Sequence, residues 1–185
     1  MRYVQGPGAQ GDIGDHAASL ACSALVVMDS FVEQGFGPQV TSALRTAGMR
    51  VAVHRFGGEN TDAEVARCAV AARDEKAGVA IGIGGGTTID TGKIAARDVG
   101  ACVMTVPTIA STDRPTSAIS VMYPAQGIYD RVERCRRHPD VVLADNEIIA
   151  KAPVRFFSVG VGVGVGVGVG DGGRAVHVVR SKIKL

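Results

Sequence analysis

Val79-Ala80-Ile81-Gly82-Ile83-Gly84-Gly85-Gly86-Thr87-Thr88 is the stretch on which the fold turns. Its first five residues form a short, unbroken apolar run, the pattern of a strand covered on both faces. The glycines then swing the chain into a helical stretch, Thr87 to Asp98, which Gly100 stops. On the upstream side, Thr61-Asp62-Ala63-Glu64 has the spacing of a capping box and opens a helix running to about Ala77, with Gly78 as its stop. Met49 to Phe56 alternates as a strand, Gln39 to Ala47 reads as a helix ended by Gly48, and Ala24 to Met28 is another buried strand ending in Asp29. Downstream, Ala101 to Val106 makes a fourth strand closed by Pro107. Strands alternate with helices across short connections. That order predicts an α/β fold, a Rossmann-like parallel sheet flanked by helices. Ligands of such sheets bind at the carboxyl ends of the strands, where Asp29, the glycine turn and the loop Thr108 to Ser117 all fall.

Beyond Pro115 the pattern changes. Ser117 to Tyr123 and Ile128 to Arg136 pair as a predicted hairpin across Pro124-Ala125-Gln126-Gly127. The second arm carries Arg131, Arg134, Arg136 and Arg137, read as a solvated strand face rather than a phosphate patch. Val141 to Ala144 is a last buried strand, and Asn146 to Lys151 a short helix that Pro153 ends. From Val159 to Gly170 the sequence is six Val-Gly pairs in succession. Glycine at alternate positions removes half the side chains a strand would pack and is poor helix material. The expected division is therefore an α/β domain over residues 1–157 and a low-complexity, disordered tail over 158–185.

A chain of 185 residues suits one domain of ordinary size. With 20 Lys plus Arg against 18 Asp plus Glu the formal charge is +2, which gives no reason to expect a nucleic-acid or membrane-surface partner. Trp is absent and aromatics are 4%, which disfavours base-stacking platforms. Cys22, Cys68, Cys102 and Cys135 stand far apart, each in or beside an apolar run, and read as reduced, mostly core thiols. His16, His54, His138 and His177 show no metal-binding spacing, so no metal site made within this chain is expected. Without a signal-like or membrane-spanning apolar run, the expected location is cytoplasmic.

Missing side chains at Gly84-Gly85-Gly86 let the backbone approach a phosphate, whose charge a helix N-terminus favours. A tight strand-to-helix turn is the competing reading, and anion binding is preferred because strand and helix flank the glycines on the correct sides. The turn is not a Walker A loop, since G-x-x-x-x-G-K-[ST] is not present. Asp29 reads either as an acceptor for ribose hydroxyls or as a helix cap. The loop Thr108 to Ser117 reads either as a set of hydroxyl and carboxylate ligands for nicotinamide, phosphate or a polyol, or as a polar turn.

Gly82-Ile83-Gly84-Gly85-Gly86-Thr87-Thr88-Ile89-Asp90-Thr91-Gly92-Lys93, followed by Val106-Pro107-Thr108-Ile109-Ala110-Ser111-Thr112-Asp113, resembles the glycerol dehydrogenases of the metal-dependent, iron-containing alcohol dehydrogenase superfamily. Ser117 to Tyr123 and Ala152 to Phe156 extend the likeness, which covers about residues 1–158. The resemblance implies an N-terminal NAD-binding domain, a C-terminal all-helical domain, a small polyol substrate, a homo-oligomer, and hydride transfer from a metal-bound alcohol to NAD, giving dihydroxyacetone from glycerol. It implies Asp29, Gly86, Thr87, Asp90, Thr108, Ser111, Ser117, Ile119 and Tyr123 as NAD contacts and Asp113 as the polyol contact. Thr87 departs from the lysine usual in that group, while the pair Asp90 and Lys93 is kept. Where the family carries a zinc-ligating aspartate in a Gly-x-Gly-Asp segment, this chain reads Gly160-Val161-Gly162-Val163. The helical domain and its two ligating histidines are likewise not found. The resemblance therefore implies zinc in the intact family with its ligands absent here, and a chain without activity alone. A non-catalytic NAD-binding fragment and a glycerol-1-phosphate dehydrogenase are the alternatives.

Overall fold

The computed structural model describes residues 1–123 and 129–153. The expected Pro124–Gly127 turn and the Val-Gly tail, with the division at residue 157, lie outside the described residues. The order of elements is β1 (Arg2–Gly6), a 3-10 turn (Ala9–Asp12), α1 (Ile13–Ala18), β2 (Ser23–Met28), α2 (Ser30–Thr46), β3 (Arg50–Arg55), α3 (Asp62–Asp74), β4 (Val79–Gly84) and α4 (Gly86–Val99). Next come β5 (Cys102–Pro107), β6 (Ile119–Met122), β7 (Arg131–Arg134), β8 (Val141–Asp145) and α5 (Asn146–Ala150).

Six strands form one sheet in the order β1-β8-β5-β4-β2-β3, and every pairing in it is parallel. β6 and β7 form a separate antiparallel ribbon, as the sequence predicts. The central strands β2, β4 and β8 are buried along their whole length. Alternation along β2 shows why they read as continuous apolar runs. Ala24, Val26 and Met28 pack with Ile13, Val40 and Leu44 of α1 and α2, whereas Leu25 and Val27 face Cys68, Ala69 and Ala95 of α3 and α4. The α/β expectation therefore holds, with helices on both faces. Among the described residues no helix is long and apolar enough to cross a membrane.

Three elements differ from the sequence reading. α2 begins at Ser30 rather than Gln39, because Asp29 caps it: the Val32 amide donates to Asp29 Oδ1 over 2.8 Å. The helix runs through Gly35, Gly37 and Pro38, residues that ordinarily argue against one. Gly37 sits so close to the Met28 sulfur that a Cβ there would stand 3.2 Å from it. Tertiary contact thus overrides local preference. The N-terminal strand β1 and helix α1 were not anticipated at all, since β1 is an edge strand with only partial burial.

Candidate functional site

Strand order reverses beside β2. From β2 the chain passes through α2 to β3 at one edge, and from β4 it passes through α4 to β5 on the other side. α2 and α4 lie on opposite faces, so their first turns leave a crevice between the carboxyl ends of β2 and β4. Met28 and Ile83 are register partners, which sets Asp29 and Gly84 side by side at the mouth.

Gly84 has φ 148°, and a Cβ there would also lie 3.0 Å from Thr88 Oγ1, so the turn requires glycine. Gly85 is the N-cap of α4 and offers no side-chain acceptor to the helix. By contrast, Asp29, Thr61 and Asp145 cap α2, α3 and α5 with their side chains. Among the described residues the first N–H groups of α4 are therefore left without a side-chain acceptor, beside an aspartate. Asp29 keeps its second carboxylate oxygen for another partner, because the cap uses only Oδ1.

Gly84 pairs with Pro107, and the Thr108 amide donates to the Gly84 carbonyl over 3.1 Å. This brings the loop after β5 over the glycine turn. Ile109 Cδ1 lies 3.4 Å from the position of a Gly85 Cβ, and Arg114 lies closer still to Gly86, its Cδ 2.5 Å from a Cβ built there. The Arg114 guanidinium donates to Tyr123 Oη over 2.7 Å and stacks 5.7 Å from the centre of that ring. Gly86, Thr87, Thr108 and Tyr123 thus come together around one turn, with Asp29 across the crevice.

Other expected residues are placed differently. Asp90 has no solvent exposure and faces inward from α4, where it lies 2.8 Å from Lys93 Nζ and accepts the Val121 amide over 2.9 Å. Burial pushes its carboxyl above the ordinary range, and the charges of Lys93 and Arg114 and the Val121 amide offset only part of that. The Asp90 carboxylate is therefore closed off from solvent and held between Lys93 and the Val121 amide. Lys93, 1% exposed, gives its ammonium protons to the carbonyls of Arg114 (3.0 Å), Ser117 (3.4 Å) and Ile119. Ser117 turns its hydroxyl towards the Ile119 carbonyl at 3.2 Å, and Ile119 enters the network through its backbone. Ser111 is half-buried in the loop. Asp113 is exposed, away from Gly86, on the rim of a cavity of about 480 Å³ that Tyr3, Pro107, Ile109 and Asn146 also line.

Two residues of the site escaped the sequence reading. Arg114 lies within the loop Thr108 to Ser117, and nothing local in the sequence tells that its side chain folds back on Gly86. Asn60 is wholly buried, donates to the Val121 carbonyl over 2.8 Å, accepts from Thr91 Oγ1 over 2.8 Å, and holds the Tyr123 amide at 3.0 Å. It fixes Tyr123 against α4, and no pattern in the sequence marks it. The hairpin arginines are solvated as expected, and Arg131 is paired with Asp62, Asp130 and Glu133. Among the described residues no group of three or more His, Cys, Asp or Glu side chains converges on a metal position, so these residues do not fit the implied ion.

Comparison with known proteins places the chain in a family. The chain is 43% identical over 161 residues to the glycerol dehydrogenase of Thermotoga maritima, a match covering 86% of this chain and 43% of that one. It is 41% identical over 159 residues to the glycolaldehyde reductase of Halobacterium salinarum, covering 86% and 44%. A crystal structure of a probable glycerol dehydrogenase from Sinorhizobium meliloti superposes with a TM-score of 0.82 at 35% identity, covering 89% of this chain and 44% of that one. The chain thus spans less than half the length of these relatives. Residues 1–146 match the iron-containing alcohol dehydrogenase family, and on that match the chain belongs to it.

Proposed function

We propose that this chain is the cofactor half of an NAD-dependent dehydrogenase acting on a small polyol, glycerol being the substrate named for several of its relatives. The observation that carries the reading is the crevice at the strand-order reversal, with Asp29 at the end of β2 facing the uncapped glycine turn at the end of β4. Asp29 accepts the ribose hydroxyls through its free oxygen. The amides of Gly86 and Thr87 receive the diphosphate, and Thr108 and Tyr123 border the nicotinamide side. Bound there, NAD supplies the hydride acceptor for an alcohol carbon. Asp113, on the adjoining cavity, hydrogen-bonds the polyol. No step is assigned through a metal, because the described residues do not assemble ligands for one. Since the chain spans less than half the length of its relatives, binding rather than turnover is the activity expected of it alone.

The test is calorimetric titration of NAD into the 185-residue chain, with circular dichroism to verify folding. Saturable binding is expected. Asp29→Ser keeps a capping oxygen for Val32 while withdrawing the carboxylate, so it should weaken NAD roughly tenfold without unfolding α2. Gly86→Val should do the same by blocking the turn. A folded chain that binds no NAD would overturn the reading, and glycerol oxidation by the pure chain would overturn the expected lack of turnover.

A further inference from the structure

We propose that Arg114 is the residue that takes the diphosphate of the bound nucleotide, reaching the first turn of α4 from the loop between β5 and β6. The inference rests on the NAD reading above and names a contact that reading does not contain. The first turn of α4 has no charged residue of its own, since positions 86 to 88 are Gly, Thr and Thr. The charge arrives from elsewhere in the chain. A Cβ on Gly86 would stand 3.0 Å from one terminal nitrogen of Arg114 and 3.1 Å from its Nε, so the guanidinium packs beside the first turn of α4.

That placement is electrostatically incomplete. A cation against the positive end of a helix is disfavoured unless negative charge joins it. Asp90 is the nearby carboxylate, 3.5 Å from Arg114 Nε, but its other oxygen is 2.8 Å from the buried Lys93 ammonium. Two cations share one anion, and the helix end adds a further partial positive charge. An incoming diphosphate supplies the missing charge.

The arginine is also built to be held while its donors stay free. Its carbonyl is fixed by Lys93 at 3.0 Å and its amide by Thr112 Oγ1 at 3.2 Å. Of the guanidinium N–H groups, one donates in a hydrogen bond among the described residues, to Tyr123 Oη. Nε faces the Asp90 carboxylate, and the remaining terminal N–H groups are available for the acceptor oxygens of a phosphate, which suit a planar guanidinium. The side chain is 20% exposed, enough for a ligand to reach it.

The experiment titrates NADH, ADP and adenosine into the full 185-residue chain, as wild type and as Arg114→Ala and Arg114→Gln. The glutamine variant keeps a donor for Tyr123 and removes the charge, so it remains informative if the alanine variant loosens the loop. The wild type should prefer ADP to adenosine. Both variants should weaken ADP and NADH by roughly tenfold or more and leave adenosine unchanged, since a charge-assisted contact is lost. Adding Thr87→Lys to Arg114→Ala, which returns a cation to the same turn, should recover part of the ADP affinity. If the variants bind ADP as the wild type does, or lose ADP and adenosine in equal proportion, Arg114 does not hold the diphosphate. A folded wild type that binds none of the three ligands would overturn the NAD reading and this one with it.

Discussion

Glu64 is 7% exposed, and its carboxylate meets three partners at once. One oxygen lies 2.9 Å from His54 Nε2 and accepts the Gly57 amide over 3.1 Å, and the other is paired with Arg67. The sequence suggested a reciprocal capping box, but only half of it forms. Thr61 Oγ1 caps the Glu64 amide, while the glutamate reaches across to β3 and its following turn. Burial alone would raise the Glu64 carboxyl, and the bonds from His54, Gly57 and Arg67 outweigh burial and leave it below its ordinary value. Its contribution to stability is therefore present above the ordinary glutamate range and is lost as pH falls through the lower folded value. Glu64→Gln should cost about 1–3 kcal/mol at neutral pH and flatten the acid limb of a stability–pH profile measured in urea. A variant as acid-sensitive as the wild type would show that Glu64 is not the responsible group. The same long reach explains what could be read at this scale. Asp29 was visible as a chemically ambiguous strand-end acid, and the structure gives it a cap and one free oxygen. Asn60 and Arg114 were not visible, because their partners stand 31 and 61 positions away for Asn60 and 9 for the arginine's Tyr123.

Elements built from period and punctuation were legible. The stretch β4-turn-α4-β5 follows from an apolar run, three glycines, a helical stretch and a stopping glycine, and α4 ends at Gly100 in the left-handed conformation such a stop requires. What the sequence conceals is how closely elements approach. α1 crosses α2 at Gly14, where a Cβ would stand 2.6 Å from the Ala43 carbonyl oxygen. Gly35, also within α2, has no atom within 4 Å of its would-be Cβ. Two glycine-to-alanine changes should consequently act in opposite directions. Gly14→Ala should destabilise by about 1–3 kcal/mol, since a backbone oxygen cannot yield as a side chain can. Gly35→Ala should stabilise by about 0.4–1 kcal/mol by stiffening the unfolded chain and favouring helix. Thermal or urea melts of both variants check this, and shifts of the same sign would refute the packing argument.

Across the whole molecule, Lys93 and Asp90 join parts that are distant in sequence. The lysine holds carbonyls at 114, 117 and 119, while the aspartate holds the Val121 amide. One buried pair on α4 thus fixes the loop after β5 and the start of the β6–β7 ribbon. Lys93→Met should cost about 3–5 kcal/mol, because it strands a buried carboxylate. Adding Asp90→Leu should restore part of that loss, and hydrogen exchange at Val121 should quicken in both. A double variant at least as unstable as the summed singles would dismiss the pairing. The sequence showed the Asp90 and Lys93 spacing but placed the aspartate in the crevice, since burial is a property of the assembled sheet.

The sheet order also bears on how the chain is made. β1 precedes β2 to β5 in the chain, yet its partner is β8, with Arg2 set against Val141 and Gly6 against Asp145. During synthesis the N-terminal strand must wait, its amides and carbonyls unpaired, until nearly the whole α/β unit has been translated. Strands β2 to β5, linked by helical crossovers, can associate meanwhile. The nascent sheet therefore grows from β2 and β4 outward, and its last seam joins β1 to β8 across more than a hundred residues of intervening chain.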